Sequence, residues 1–191
     1  MGFSLTNKKE ISTKLLLSFT FVGLMVLSAN TFFYLPFSPV PVTFQVLTVL
    51  LSSIVMGAKW AAFTQASYLF LGLMGLPVFS GFKNGIIALA SPTGGYIIGF
   101  LVAAYATGAI YHSYKQKDRL AIFTSCFCGL LFIYFFGYMH LAFYFISNLG
   151  FSIGIFLKSL KLGVLPFIAF DLIKILLIAN IIGNLKSRDK I

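Results

Sequence analysis

With 59% hydrophobic and only 9% charged side chains over 191 residues, and a mean hydropathy of +0.98, this chain lacks the polar surface of a water-soluble domain. Its formal charge of +10 sits in short clusters between apolar runs, which excludes the single basic face of a nucleic-acid binder and fits the asymmetry that orients membrane proteins. In a bilayer this length accommodates about six spans of ~20 residues with short connections.

Lys8, Lys9 and Lys14 flank an apolar run over 12–33. The run is longer than the apolar region of a secretory signal, about 7–15 residues, and Leu27 stands where cleavage wants a small residue. It reads as a retained first span. The apolar runs are continuous rather than alternating, so they predict helices and not barrel strands. Spans are expected near 12–33, 43–56, 60–75, 94–112, 120–147 and 162–185. The expected fold is therefore all-α, one integral membrane bundle of six transmembrane helices. The second and third runs are short, and four spans with a re-entrant hairpin are the structural alternative.

Six spans place Lys8, Lys9, Lys14, Lys59, Lys115, Lys117, Arg119, Lys186, Arg188 and Lys190 on one side, and Lys83, Lys158 and Lys161 on the other. That bias puts both termini in the cytoplasm. Two segments then lie outside. Pro36, Pro39 and Pro41 stiffen one and hold the residues before them extended. The other, over 76–93, is too apolar for a solvated loop and too glycine-rich for a helix. It is expected to fold back as an external capping loop, with an ordinary interfacial loop as the alternative.

No catalytic constellation and no phosphate-binding glycine-lysine loop occurs. An enzyme is not expected, nor a resident cofactor or metal, and any ATPase would be another polypeptide. Cys126 and Cys128 read as buried apolar cysteines, and His140, alone in a span, as a hydrogen-bonded structural histidine. Asp171 and Lys174 stand apart from this background. Charges inside a span cost ~2.5–3.5 kcal/mol each, so they face a cavity or a partner. Their i, i+3 spacing puts both on one helix face. A structural ion pair is the plain reading, and a ligand site is the sharper one. Ser91-Pro92-Thr93-Gly94-Gly95-Tyr96 is the second candidate. Thr93 could cap the following helix, and the glycine pair would let a ligand approach the backbone.

Several motifs, in order, resemble the BioY family of biotin transporter substrate-binding subunits. They are Pro36-Phe37-Ser38-Pro39-Val40-Pro41-Val42-Thr43-Phe44-Gln45, Gly57-Ala58-Lys59-Trp60, Gly72-Leu73-Met74-Gly75-Leu76-Pro77-Val78-Phe79, Ser91-Pro92-Thr93-Gly94-Gly95-Tyr96 and Asp171-Leu172-Ile173-Lys174. The resemblance covers about residues 36–108 and 163–180. It implies a six-helix S-component of an energy-coupling-factor (ECF) transporter in the bacterial cytoplasmic membrane. Such a subunit captures biotin outside and works with a transmembrane coupling subunit and two cytoplasmic ATPase subunits. A homo-oligomer acting alone is left open. The family pattern maps its Asp-x-x-Lys onto Asp171 and Lys174, a loop asparagine onto Asn84, and a tyrosine onto Tyr96. Gln45, Phe44 and Phe79 complete the expected substrate-binding set, the aromatic residues packing on the ligand's rings. Alanine-x-x-x-alanine spacing is absent from the first helix, where Ser12, Ser18, Gly23, Ser28 and Ala29 are the small residues. An ion-coupled secondary carrier and a membrane structural protein without a ligand are the rival readings.

Overall fold

The computed structural model describes residues 5–188. Helix α1 (Leu5–Asn30) leads into a two-stranded antiparallel hairpin, β1 (Phe32–Tyr34) and β2 (Pro41–Thr43). Then come α2 (Gln45–Met56), α3 (Ala58–Leu73), the short α4 (Gly85–Ala90), α5 (Gly94–Ser113), α6 (Arg119–Leu149), α7 (Gly154–Gly163) and α8 (Ile168–Arg188). Four stretches are long and apolar enough to cross a bilayer: Lys8–Asn30, Gly94–Ser113, Arg119–Leu149 and Gly154–Leu185. Helices α2 and α3 have 12 and 16 residues, or about 18 and 24 Å at 1.5 Å per residue.

Two departures from an all-α reading have local causes. The first span gives way to strand geometry at Phe32, where Phe32 pairs with Thr43, Phe33 with Val42 and Tyr34 with Pro41, and Pro36, Pro39 and Pro41 hold the residues before them, in the connecting turn, out of helix. Ser38 ties this turn to the bundle by donating from Oγ to the carbonyl of Leu162 at 2.7 Å. The run expected over 162–185 begins at the last turn of α7, and a 3₁₀ turn at Leu165–Phe167 separates that helix from α8. Pro166 has no N–H to give and would collide with the preceding turn of a continuous helix.

Side-chain contacts fix which ends of the helices lie together. Lys14 Nζ donates to the carbonyl of Met56 at 3.3 Å, and His112 packs on Gly57. Arg119 lies against Gly183 and donates to Asn184 at 2.6 Å. The C-terminal ends of α2, α5 and α8 therefore share one end of the bundle with the N-terminal ends of α3 and α6. Lys14, Lys59, Lys115, Lys117 and Arg119 belong to that end. Lys190 lies outside the described residues.

Helices α5 and α6 pack along their lengths because small residues let the backbones approach. A Cβ on Gly95 would run into Cβ of His140 and the carbonyl of Phe136, and one on Gly99 would sit 3.2 Å from Cα of Ile133. Gly95→Ala is therefore expected to destabilise the fold by about 1–3 kcal/mol through overpacking. Gly23→Ala, inside α1 where an added methyl meets nothing within 4 Å, should cost no stability and can raise it by up to about 1 kcal/mol through helix propensity. Thermal unfolding of both variants in one detergent checks the pair, and equal melting temperatures would contradict it.

Candidate functional site

A chamber opens at the end of the bundle opposite the basic cluster. Its walls bound about 650 Å³ of space, counted together with the solvent at its open side. Six segments supply most of its walls. Strand β2 and the start of α2 contribute Thr43, Gln45 and Val46, and the loop after α3 contributes Phe79, Ser80 and Lys83. Helices α5, α6 and α8 bring Tyr96 and Phe100, Ile133 and Tyr134, and Asp171 and Lys174.

The charged pair forms the polar wall. Asp171 and Lys174 are 3% and 7% exposed, and Lys174 Nζ lies 2.6 Å from Asp171 Oδ1. Each has a further partner. Tyr134 donates its hydroxyl to Asp171 Oδ2 at 2.7 Å, and Lys174 donates to the carbonyl of Thr43 at 2.7 Å. An ammonium has three donors and a carboxylate about four acceptor sites, so both groups keep capacity toward the chamber. The aspartate is thus aimed from α6, and the lysine is anchored to the β-hairpin.

Neighbouring polar groups are held just as firmly. Tyr96 donates to the carbonyl of Gly163 at 2.7 Å, tying α5 to the end of α7. Gln45 donates to the Tyr68 hydroxyl at 3.1 Å, which donates to the carbonyl of Val78 at 3.0 Å. Ser80 Oγ is buried without a hydrogen-bond partner among the described residues. An unpaired buried hydroxyl costs ~1–3 kcal/mol, so this atom suits a polar ligand.

The loop over 76–93 folds back onto the bundle. Phe79, 1% exposed, meets Tyr68 edge-on with ring centroids 5.5 Å apart and fills the space that a side chain on Gly72 would take. The Phe79 N–H reaches the carbonyl of Lys83 at 3.0 Å, closing a tight turn.

Of the residues read from sequence, Asp171, Lys174, Tyr96, Gln45 and Phe79 line this one chamber. Phe44 does not. The chain turns at Phe44 (φ −88°, ψ 2°) from the end of β2 into α2, and the turn leaves Gln45 on the chamber while Phe44, 51% exposed, lines an outer apolar groove with Phe33 and Phe170. Asn84 does not line the chamber either, because its amide donates to the carbonyl of Gly75 at 2.8 Å and closes the loop. Thr93 makes no side-chain cap to α5 and instead pairs with Ser91 Oγ at 3.0 Å. The Gly94–Gly95 pair serves close packing, against Leu89 and α6, rather than exposing backbone to a ligand. His140 binds the carbonyl of Ser91 at 3.0 Å, as a structural histidine would. A carbonyl only accepts, so Nε2 carries the proton.

Tyr134 and Lys83 were not singled out in the sequence. Tyr134 is one aromatic residue among many in a 31-residue apolar helix, and nothing local marks it. Lys83 sits in the capping loop, where a lysine reads as ordinary surface charge.

The BioY family model matches residues 5–190. The "Biotin transporter BioY" of Thermotoga maritima is 38% identical over 168 residues, covering 87% of this chain and 92% of that protein. The "Probable biotin transporter BioY" of Pyrococcus horikoshii is 40% identical over 136 residues, or 71% and 74% of the two chains. The fold also matches a crystal structure at 2.1 Å of the S-component for biotin from an ECF-type ABC transporter. That match has a TM-score of 0.82 at 25% identity, over 96% of this chain and 95% of that one. With its family pattern spanning nearly the whole length and a chamber built around a buried charge pair, the chain belongs to the BioY family.

Proposed function

We propose that this chain is the biotin-binding S-component of an ATP-driven vitamin importer of the ECF type. The observation that carries the reading is the buried Asp171–Lys174 pair on the wall of a chamber that opens to solvent. Biotin's ureido ring offers two N–H donors and one carbonyl acceptor. Asp171 accepts an N–H, and Lys174 donates its remaining N–H to the carbonyl. Phe79, Tyr96 and Phe100 pack on the sulfur-containing ring. The valerate carboxylate then points to the chamber mouth, where Lys83 of the loop offers a cation.

Helices α2 and α3 complete six crossings in this reading, as one membrane domain. Helix α2 starts beside the chamber at Gln45 and ends at Met56 beside Lys14, so it travels the bundle from one end to the other despite its length. Both termini lie in the cytoplasm and the chamber faces out. ATP is hydrolysed in trans by cytoplasmic subunits acting through a transmembrane coupling subunit.

Isothermal titration of the purified protein tests the reading. Biotin should bind tightly. Desthiobiotin, which keeps the ureido group but lacks the sulfur ring, should bind at the same stoichiometry and more weakly. Absence of biotin binding to folded protein would overturn the assignment, and uptake that survives ATP depletion but collapses with the proton gradient would favour a secondary carrier.

A further inference from the structure

Asn30 stands at the end of α1, away from the charged pair, and both halves of its amide are engaged. Nδ2 donates to the carbonyl of Val26 at 2.9 Å, within α1. Oδ1 accepts from the backbone N–H of Phe82 at 2.9 Å, across 52 positions of sequence. Phe82 is the bend of the capping loop. Among the described residues it alone combines a side chain with a positive φ, +56°. Residues other than glycine avoid that region because Cβ crowds the following carbonyl. Burial does not hold Phe82 there, since it is 67% exposed. The bend continues from Gly81 at φ +73° and brings Phe79 and Lys83 together. Phe79, Ser80 and Lys83, all chamber wall, therefore ride on a strained turn that Asn30 ties to α1.

We propose that Asn30 is a positioning residue that latches the capping loop over the chamber and sets how fast ligand exchanges. Val78 and Phe79 are buried, but the tip over 81–84 is exposed. Segments with so little burial open locally at low free-energy cost, so the tie at Phe82 has a large share in holding the tip in place. The tie involves no ligand atom and acts alike before and after binding. Its loss therefore raises the open fraction in both states. Entry and exit both speed up, and affinity hardly moves. Losing a binding contact would instead show mainly as faster release. The exchange-rate claim rests on the biotin reading, whereas the latch itself does not.

Asn30→Leu removes the acceptor, and Asn30→Asp keeps one. In Asn30→Leu, association and dissociation rates for biotin should each rise about three- to tenfold, the worth of one hydrogen bond, with Kd changing less than about threefold. Asn30→Asp keeps the acceptor for Phe82 but loses the donor to the Val26 carbonyl, so its rates should lie between wild type and Asn30→Leu. Hydrogen–deuterium exchange without biotin supplies the ligand-independent arm. Peptides over 79–83 should exchange faster in Asn30→Leu, while those over 96–108 stay unchanged. Unaltered exchange over 79–83 would overturn the latch whatever the ligand. Unaltered rates, or faster release with a proportionate loss of affinity, would overturn the gate.

Discussion

Lys174→Ala is expected to weaken biotin binding at least about a hundredfold, and Asp171→Asn by a comparable factor. Hydrogen bonds to charged groups are worth ~1.5–3 kcal/mol each, and about 2.7 kcal/mol is a hundredfold in Kd. Lys174→Ala removes the donor to the ureido carbonyl and leaves the Asp171 carboxylate held by Tyr134 alone. That uncompensated charge then faces a carbonyl oxygen, which is repulsive. Asp171→Asn keeps the shape but replaces one acceptor oxygen with an amide donor, which meets the donors of the ligand's ring. Titration calorimetry on monodisperse protein measures both. Phe19→Ala, at a lipid-facing position of α1 that is 74% exposed, serves as the unaffected control. Wild-type affinity in both charge variants would remove the pair from the site.

The parts of this site that sequence exposed are those whose local chemistry is out of place. Two opposite charges one turn apart in an apolar run stand out without any structure, because a membrane tolerates them only in a special setting. Gln45, Phe79 and Tyr96 came with motifs whose order along the chain resembled a family. What stayed hidden depends on direction or on distant contact. Thr43 acts through its carbonyl, which every residue has. Tyr134 matters because α6 presents it to Asp171, 37 positions away. Phe44 and Gln45 are adjacent, yet only the geometry of the strand–helix junction decides which of them faces the chamber. The Pro166 break was readable in principle, but the apolar run around it is continuous, and hydropathy carries no information on where a helix bends.

The same pair should behave in the opposite sense for stability. Removing one partner of a buried ion pair costs ~3–5 kcal/mol, because the other charge is stranded, whereas replacing both by apolar residues is often neutral. Asp171→Leu alone strands the Lys174 ammonium, and Lys174→Met alone strands the Asp171 carboxylate. The double variant D171L/K174M should recover most of either loss, a coupling far beyond the ~0.3–0.5 kcal/mol scatter of independent sites. A remaining deficit is expected from Tyr134, whose hydroxyl loses its acceptor at Asp171 Oδ2. Adding Tyr134→Phe removes that polar atom, so the triple variant should be the most stable of the series and bind no biotin. Unfolding of all four proteins in one detergent gives the ordering, and single losses that simply add in the double variant would contradict it. Recovery of stability without recovery of binding would separate the two roles, because a packed apolar wall holds this corner of the bundle together as well as the charges do, while only the charges can receive a polar ring.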